Sequence, residues 1–247
     1  MELNKNKSVA IIGATCNLGI EISKIYAKNG FNLVLISRNL EKNQKLKNSI
    51  NEIYPNLQID TFELDILNIE NQKKVYKDLK NVPDGVISLI GETHNFEKIL
   101  ESKLLHIVNT NFLYLVNFLS LFLNDFEKRN SGFLICLSSV SGIRGRAKNF
   151  IYGSAKAALT TFLSGCRNYY NNKNIFIMTV LPGFIQNKKD KKHKIENLLQ
   201  IKPSDLASKI FSAHVNKKEI LYSSIIWIVI MNIIKIIPNR IFNKINF

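Results

Sequence analysis

Short apolar runs recur along the chain, and between them apolar positions return at helical spacing. The runs lie at 8–12, 32–36, 58–64, 85–90, 133–137 and 175–181. Most are nearly continuous rather than alternating, which predicts strands covered on both faces, as in a parallel sheet. Helical patterns separate them. Ile22, Ile25, Tyr26 and Ala27 precede a stop at Gly30, a second helix covers about 40–52, and a long one covers about 96–123. A further helix carries Tyr152 and Lys156, with Ala155, Ala157 and Ala158 small enough for close packing. Alternating strands and helices predict an α/β fold. It is a single Rossmann-type domain, a doubly wound parallel sheet of about seven strands with helices on both faces. The domain is expected over 1–222, with a lobe at 184–201 that closes over a ligand. An apolar helical tail with basic residues fills 223–247.

A chain of 247 residues that is 46% hydrophobic is large enough to bury such a core. Cys16, Cys136 and Cys166 are odd in number and widely spaced, which predicts free thiols in a reducing compartment. His94, His106, His193 and His214 show no ligand spacing, so no metal is expected. The segment 2–7 is too polar for a secretory signal, and a cytoplasmic location is expected. The net charge of +15 favours anionic partners, either phosphates or an acidic membrane surface. A general enrichment in Lys, Asn and Ile accounts for it equally well. No nucleic-acid motif accompanies the charge, and no nucleic-acid partner is expected.

The first strand runs into Gly13-Ala14-Thr15-Cys16-Asn17-Leu18-Gly19 and then into a helix. Strand, glycine turn and helix form a dinucleotide-binding opening. Gly13 allows the tight turn and Gly19 lets the helix pack closely. The helix start, from Thr15 through Asn17 to Leu18, offers free amides and a partial positive charge to a pyrophosphate. The second strand ends at Ser37-Arg38, where such folds read the adenosine ribose. An acidic residue there would bind the free hydroxyl of NAD; Arg38 suits the 2′-phosphate of NADP(H). Asp65, with Ile66 beside it, ends the third strand and either meets the adenine edge or caps the segment from Asn68. Gly91 lets a cofactor approach the end of the fourth strand.

Tyr152 and Lys156 stand four residues apart, about one helical turn, so they share a helix face. A free phenol titrates near 10, and a neighbouring cation favours its ionised form. Ser139 stands thirteen residues before Tyr152, at the end of the fifth strand. Phenol, ammonium and hydroxyl together read as an acid/base site for interconverting a carbonyl and an alcohol.

These residues resemble the short-chain dehydrogenase/reductase family over nearly the whole chain. The resemblance implies that Tyr152 is the proton donor for ketone reduction. It implies that Lys156 holds the nicotinamide ribose and lowers the tyrosine pKa, and that Ser139 orients the carbonyl. Asn111 would position a water behind Lys156, and Pro182, Gly183 and Ile185 would line the nicotinamide. It also implies a homo-oligomer. Ser138 as the working serine, and Asn111 as a helix-interior hydrogen bonder, remain open. Three positions depart from the family pattern. Asn17 replaces a glycine and can adopt a left-handed backbone. The segment after the fourth strand is 88–91, Ser-Leu-Ile-Gly, and Asn187 replaces a threonine. Within the family, the 138–146 stretch, the Tyr152-Gly153-Ser154-Ala155-Lys156 helix start and the Trp227…Pro238 tail are similar to a particular branch. It comprises the decaprenylphosphoryl 2-keto-pentose (erythro-pentofuranosid-2-ulose) 2-reductases, which act on a lipid-linked keto-sugar in cell-envelope polysaccharide synthesis.

Two segments carry unassigned chemistry. The tail runs 225–231 and 233–237 almost wholly apolar around Asn232, too short and too interrupted for a transmembrane helix. It serves as a core cover or oligomer interface, or it lies in a membrane interface with Trp227 at the boundary and Lys235, Arg240 and Lys244 near lipid phosphates. That second reading would make the protein peripheral on the inner face of the cell membrane. The lobe holds Lys188, Lys189, Lys191, Lys192 and Lys194. It is either a solvated loop or a capture surface for phosphate, joined by Arg144 and Arg146. The expected substrate is a small-molecule or lipid-linked carbonyl. The alternatives are a soluble carbonyl such as an oxoacyl thioester, and a non-catalytic dinucleotide sensor.

Overall fold

The structure, a computed structural model, describes residues 7–93, 101–186 and 199–244. The main sheet contains β1 (Ser8–Ile12), β2 (Asn32–Ser37), β3 (Ile59–Glu63), β4 (Gly85–Ser88), β5 (Gly132–Leu137) and β6 (Ile175–Leu181). A short pair, β7 (Phe184–Ile185) and β8 (Gln200–Ile201), lies outside it, and β9 (Ile220–Tyr222) completes it at one edge. The order is β3-β2-β1-β4-β5-β6-β9, with every pairing parallel. Ile12 pairs with Ile36 on one side and Ser88 on the other, and Ser88 pairs with Cys136. The carboxyl ends of four strands therefore line up where the strand order reverses, and such a switch point opens a ligand crevice.

Side chains alternate across the sheet, so each strand feeds two cores. Val9, Ile11, Leu33 and Leu35 pack with Ile22 and Tyr26 of α1 (Asn17–Lys28), Leu46 of α2 (Leu40–Asn51) and Leu206 of α7 (Pro203–Val215). Ala10, Ile12, Val86 and Leu134 face the other way. There they meet Val75 of α3 (Ile69–Lys77), Phe118 and Phe122 of α5 (Tyr114–Lys128), and Leu159 and Leu163 of α6 (Phe150–Tyr169). Both faces are apolar, which is why the strands read as unbroken runs.

The long helix expected at about 96–123 differs from expectation. Residues 96–100 lie outside the described part. From there α4 (Glu101–Val108) passes into a π-helical turn, Asn109–Leu113, before α5 continues to Lys128. The extra residue of a π turn aims Asn111 inward without ending the helix. Asn17 does not use the left-handed backbone open to an asparagine. It opens α1 in right-handed geometry, and among the described residues only Asn130 and Lys217 are non-glycines with positive φ.

The tail forms α8 (Ile225–Ile236) and a short α9 (Asn239–Phe242). Trp227, Met231 and Ile234 are buried against Val140 and Leu181, next to the strand ends. Trp227 is 4% exposed and donates its Nε1–H to the Leu199 carbonyl at 3.1 Å. It is thus a plug against the domain rather than an anchor at a membrane boundary, because burying an indole this large on an existing apolar wall removes it from any other surface.

Candidate active site

The crevice at the switch point has a volume of about 340 Å³, at the lower end of ordinary ligand sites. Gly13 sits at its base with φ +90°, a conformation that disfavours a side chain. Its amide donates to the Ile36 carbonyl at 2.8 Å, which ties the turn to β2. At Gly19 a Cβ would lie 2.4 Å from the Gly13 carbonyl oxygen, so only glycine lets α1 start this close to the turn. Cys16 caps α1, its sulfur accepting the Gly19 amide at 3.2 Å. Thr15 and Cys16 line the crevice; the Leu18 side chain is buried beneath it.

Arg38 and Lys42 line the far end, exposed to solvent. Asp65 and Ile66 form the adjoining wall. Asp65 accepts the Leu67 amide at 3.0 Å, while Asn68 accepts the Asn71 amide at 2.9 Å and caps α3. Asp65 therefore shapes a turn and leaves the helix cap to Asn68. The near wall holds Ile90, Gly91 and Thr110, whose buried Oγ1 has no partner. Glycines at the closest approaches, an exposed cation at the ribose end and an orphaned hydroxyl on the wall fit a dinucleotide.

The residues expected to be catalytic stand next to this crevice. Lys156 is 1% exposed and donates to the Ile90 carbonyl at 2.9 Å and the Leu137 carbonyl at 3.0 Å. A Cβ on Gly91 would lie 3.1 Å from its Nζ, so the glycine leaves room for the ammonium. Asn111 donates to the Glu92 carbonyl at 2.8 Å and the Ile107 carbonyl at 2.9 Å, and accepts the Glu92 amide at 3.1 Å. It braces the strand end beside Lys156 through Glu92.

The two serines after β5 divide the work. Ser138 donates to the Lys156 carbonyl at 2.9 Å and lies 2.7 Å from the Thr160 hydroxyl, so it fastens α6 to the sheet. Ser139 accepts the Ser141 amide at 3.1 Å and hydrogen-bonds toward Tyr152. Geometry thus places Ser139, and not Ser138, beside the phenol.

Burial pushes the Tyr152 phenol up, and the Ser139 hydrogen bond and the Arg146 charge pull it back. Arg146 is a cation that lowers the phenol pKa. The Lys156 Nζ, held by two carbonyls, lies 5.8 Å from the ring centroid. Burial also brings Lys156 itself down to about 8. Arg146 donates to the Ser141 hydroxyl at 2.6 Å, and its buried Nε has no partner. Arg144 is not part of a phosphate site. It donates to the Ile234 carbonyl, to the Ile237 carbonyl at 2.6 Å and to Asn239 Oδ1 at 2.8 Å, fastening the tail.

The third group of expected residues lies apart from the crevice lining. The Pro182 carbonyl accepts the Val140 amide at 3.1 Å, and the Gly183 amide donates to Ser223 Oγ at 3.2 Å. A Cβ on Gly183 would fall 1.9 Å from the Trp227 ring. Ile185 lies in β7, paired with Ile201. Asn187 and the lobe lysines Lys188, Lys189, Lys191, Lys192 and Lys194 lie outside the described residues, as do His94 and His193. His106 and Glu92, 3.1 Å apart at the crevice wall, went unassigned in the sequence; a lone histidine in a helical pattern carries no signal for such a place.

Comparison with known proteins agrees with this geometry. Residues 7–197 match the family model for short chain dehydrogenases. A dehydrogenase/reductase SDR family protein 7-like from Dictyostelium discoideum is 32% identical over 195 residues, 73% of this chain and 60% of that protein. A very-long-chain 3-oxoacyl-CoA reductase-A from Danio rerio is 28% identical over 195 residues, 76% of this chain and 61% of that protein. The matched region thus spans about three fifths of both relatives. Among solved structures, a bulky-bulky ketone specific alcohol dehydrogenase from Comamonas testosteroni superposes with a TM-score of 0.82. That match has 17% identity and covers 98% of this chain and 96% of the other. The chain belongs to the short-chain dehydrogenase/reductase family, whose members are oxidoreductases that use NAD(P).

Proposed function

We propose that this protein is an NADPH-dependent reductase that converts a ketone to a secondary alcohol. The carrying observation is the phenol of Tyr152 facing Ser139 beside a crevice whose ribose end presents Arg38. The nicotinamide, when bound, supplies the hydride. Ser139 holds the substrate carbonyl oxygen next to the phenol. Tyr152 gives its proton to that oxygen as negative charge develops on it, and the phenolate so formed is stabilised by Ser139 and Arg146. Lys156 keeps the cofactor side of the site rigid and offers its remaining ammonium proton to a ribose hydroxyl. Arg38 selects the 2′-phosphate of NADPH over the free hydroxyl of NADH.

The substrate we favour carries its ketone on a sugar linked to a polyprenyl phosphate. The resemblance of the serine loop, the Tyr152 helix start and the tail supports it, as does the apolar helix packed beside Gly183. A 3-oxoacyl thioester is the second reading, favoured by the similarity to the Danio rerio 3-oxoacyl-CoA reductase. Titration of NADPH and NADH, followed by turnover on a polyprenyl-phosphoryl keto-sugar, a 3-oxoacyl thioester and simple ketones, tests both. Tight NADPH binding with turnover of the keto-sugar is the expected result. Turnover of the thioester alone would replace the substrate assignment. No turnover of any carbonyl would overturn the enzymatic reading.

A further inference from the structure

We infer that the outward face of α8 docks the protein on an anionic membrane surface. This surface needs no particular carbonyl and stands independently of the reaction proposed above.

The helix is apolar except for Asn232 and Lys235, and its two faces have different fates. Trp227, Met231 and Ile234 point into the domain. Ile225, Val229, Ile233 and Ile236 recur at spacings of four, four and three, so they share the opposite face. They are 78%, 52%, 52% and 80% exposed, and Ile226 beside them is 45% exposed. This is a strip of large aliphatic side chains, with exposed Asn232 within it and Lys235 at its edge, on a surface where a soluble domain normally shows charge. The helix is also held in place. Arg144 bonds the carbonyls of Ile234 and Ile237 and stacks 3.9 Å from the Phe242 ring centroid. The strip is therefore a fixed feature of the fold.

Charge decides what covers it. From Ile220 to Phe247 the sequence holds Lys235, Arg240 and Lys244 and no acidic residue. All three cations are exposed. A second copy seated on the same strip would pair the patch with itself and set these cations against one another with no carboxylate between them. An anionic lipid surface satisfies both components: the isoleucines enter the acyl boundary and the cations meet headgroup phosphates. The helix has 12 residues, about 18 Å at helical rise, against a hydrocarbon core of about 30 Å, so it lies in the interface and does not cross. The other long apolar stretch, Ser102–Lys128, does not compete, because Phe118, Phe122 and Phe126 of that stretch are core residues.

The test is co-sedimentation of the full chain with phosphatidylcholine vesicles, with and without added phosphatidylglycerol. The expected result is pelleting that requires the anionic lipid and weakens with salt. Joint replacement Ile225→Ser, Ile233→Ser and Ile236→Ser should weaken partitioning at least about 10-fold while leaving NADPH binding unchanged. Joint replacement Lys235→Gln, Arg240→Gln and Lys244→Gln should remove the preference for anionic lipid, on the order of 100-fold. Retained NADPH binding shows that a variant has folded, so a failure of the reductase reading and a failure of this one remain distinct. Wild-type protein that stays in the supernatant, or serine variants that pellet like wild type, overturn the inference. So does an oligomer that the serine variants dissociate without any vesicle binding, which assigns the strip to a second copy.

Discussion

Lys156 and Arg38 are cations on the same crevice, built in opposite ways. Lys156 is 1% exposed and fixed by two backbone carbonyls, with Gly91 leaving it just enough room. Arg38 stands in solvent at the end of β2. The same contrast runs through their neighbours. Asn111 makes three hydrogen bonds in the catalytic half, whereas Thr110 on the cofactor wall leaves its hydroxyl without a partner. The proposed catalytic half is organised by the fold itself, and the proposed ribose end leaves its groups open to a ligand. Errors in the first should appear in turnover, and errors in the second in affinity.

The largest expected effect is Tyr152→Phe. Removing one hydroxyl from a site whose other members stay fixed should lower kcat on the order of 1000-fold with NADPH affinity unchanged, read by steady-state kinetics and fluorescence titration. A parallel loss of NADPH binding would break the division between the halves. Next is Arg38→Asp, which should weaken NADPH binding about 10- to 100-fold and leave kcat at saturation nearly intact. If NADPH and NADH bind the parent protein equally, Arg38 has no role in selection. Gly183→Ala comes third. Its Cβ would collide with Trp227, so the tail must shift, and thermal unfolding should move down by several degrees. Arg146→Met is the smallest. Its charge lowers the phenol pKa, so its removal raises that pKa. Reduction needs the protonated phenol and fades as pH rises through that value, so the falling limb of kcat/KM against pH should move to higher pH. A limb that stays in place would return the role to Lys156.

Much of this arrangement was legible in the sequence because its physics is local. Strands buried on both faces show as apolar runs, and Ile175–Leu181 stands where its run lies. Tyr152 and Lys156 are recognised by one helical turn. What escaped depends on contacts distant along the chain. The π turn at Asn109–Leu113 leaves the apolar periodicity intact, so nothing marks it. The three residues of β9 are too few for a pattern. Arg144 meets its partners across 90 or more positions, and no spacing rule reaches that far. A helix apolar on most sides does not say which face turns inward, which is why the sequence left Trp227 between a core cover and a lipid boundary; it is found under Gly183. The tie of the Lys156 ammonium to the Ile90 and Leu137 carbonyls has the same origin, since helical spacing fixes a shared face and not the direction of a long flexible stem.

The contact between Trp227 and Gly183 changes how shortened versions of this protein must be interpreted. Deleting everything after Ser223 resembles trimming a dispensable end, but it would remove the indole that supports the loop after β6 and open a void against Val140, the residue that follows Ser139. An expression clone stopped there would lose more than an end.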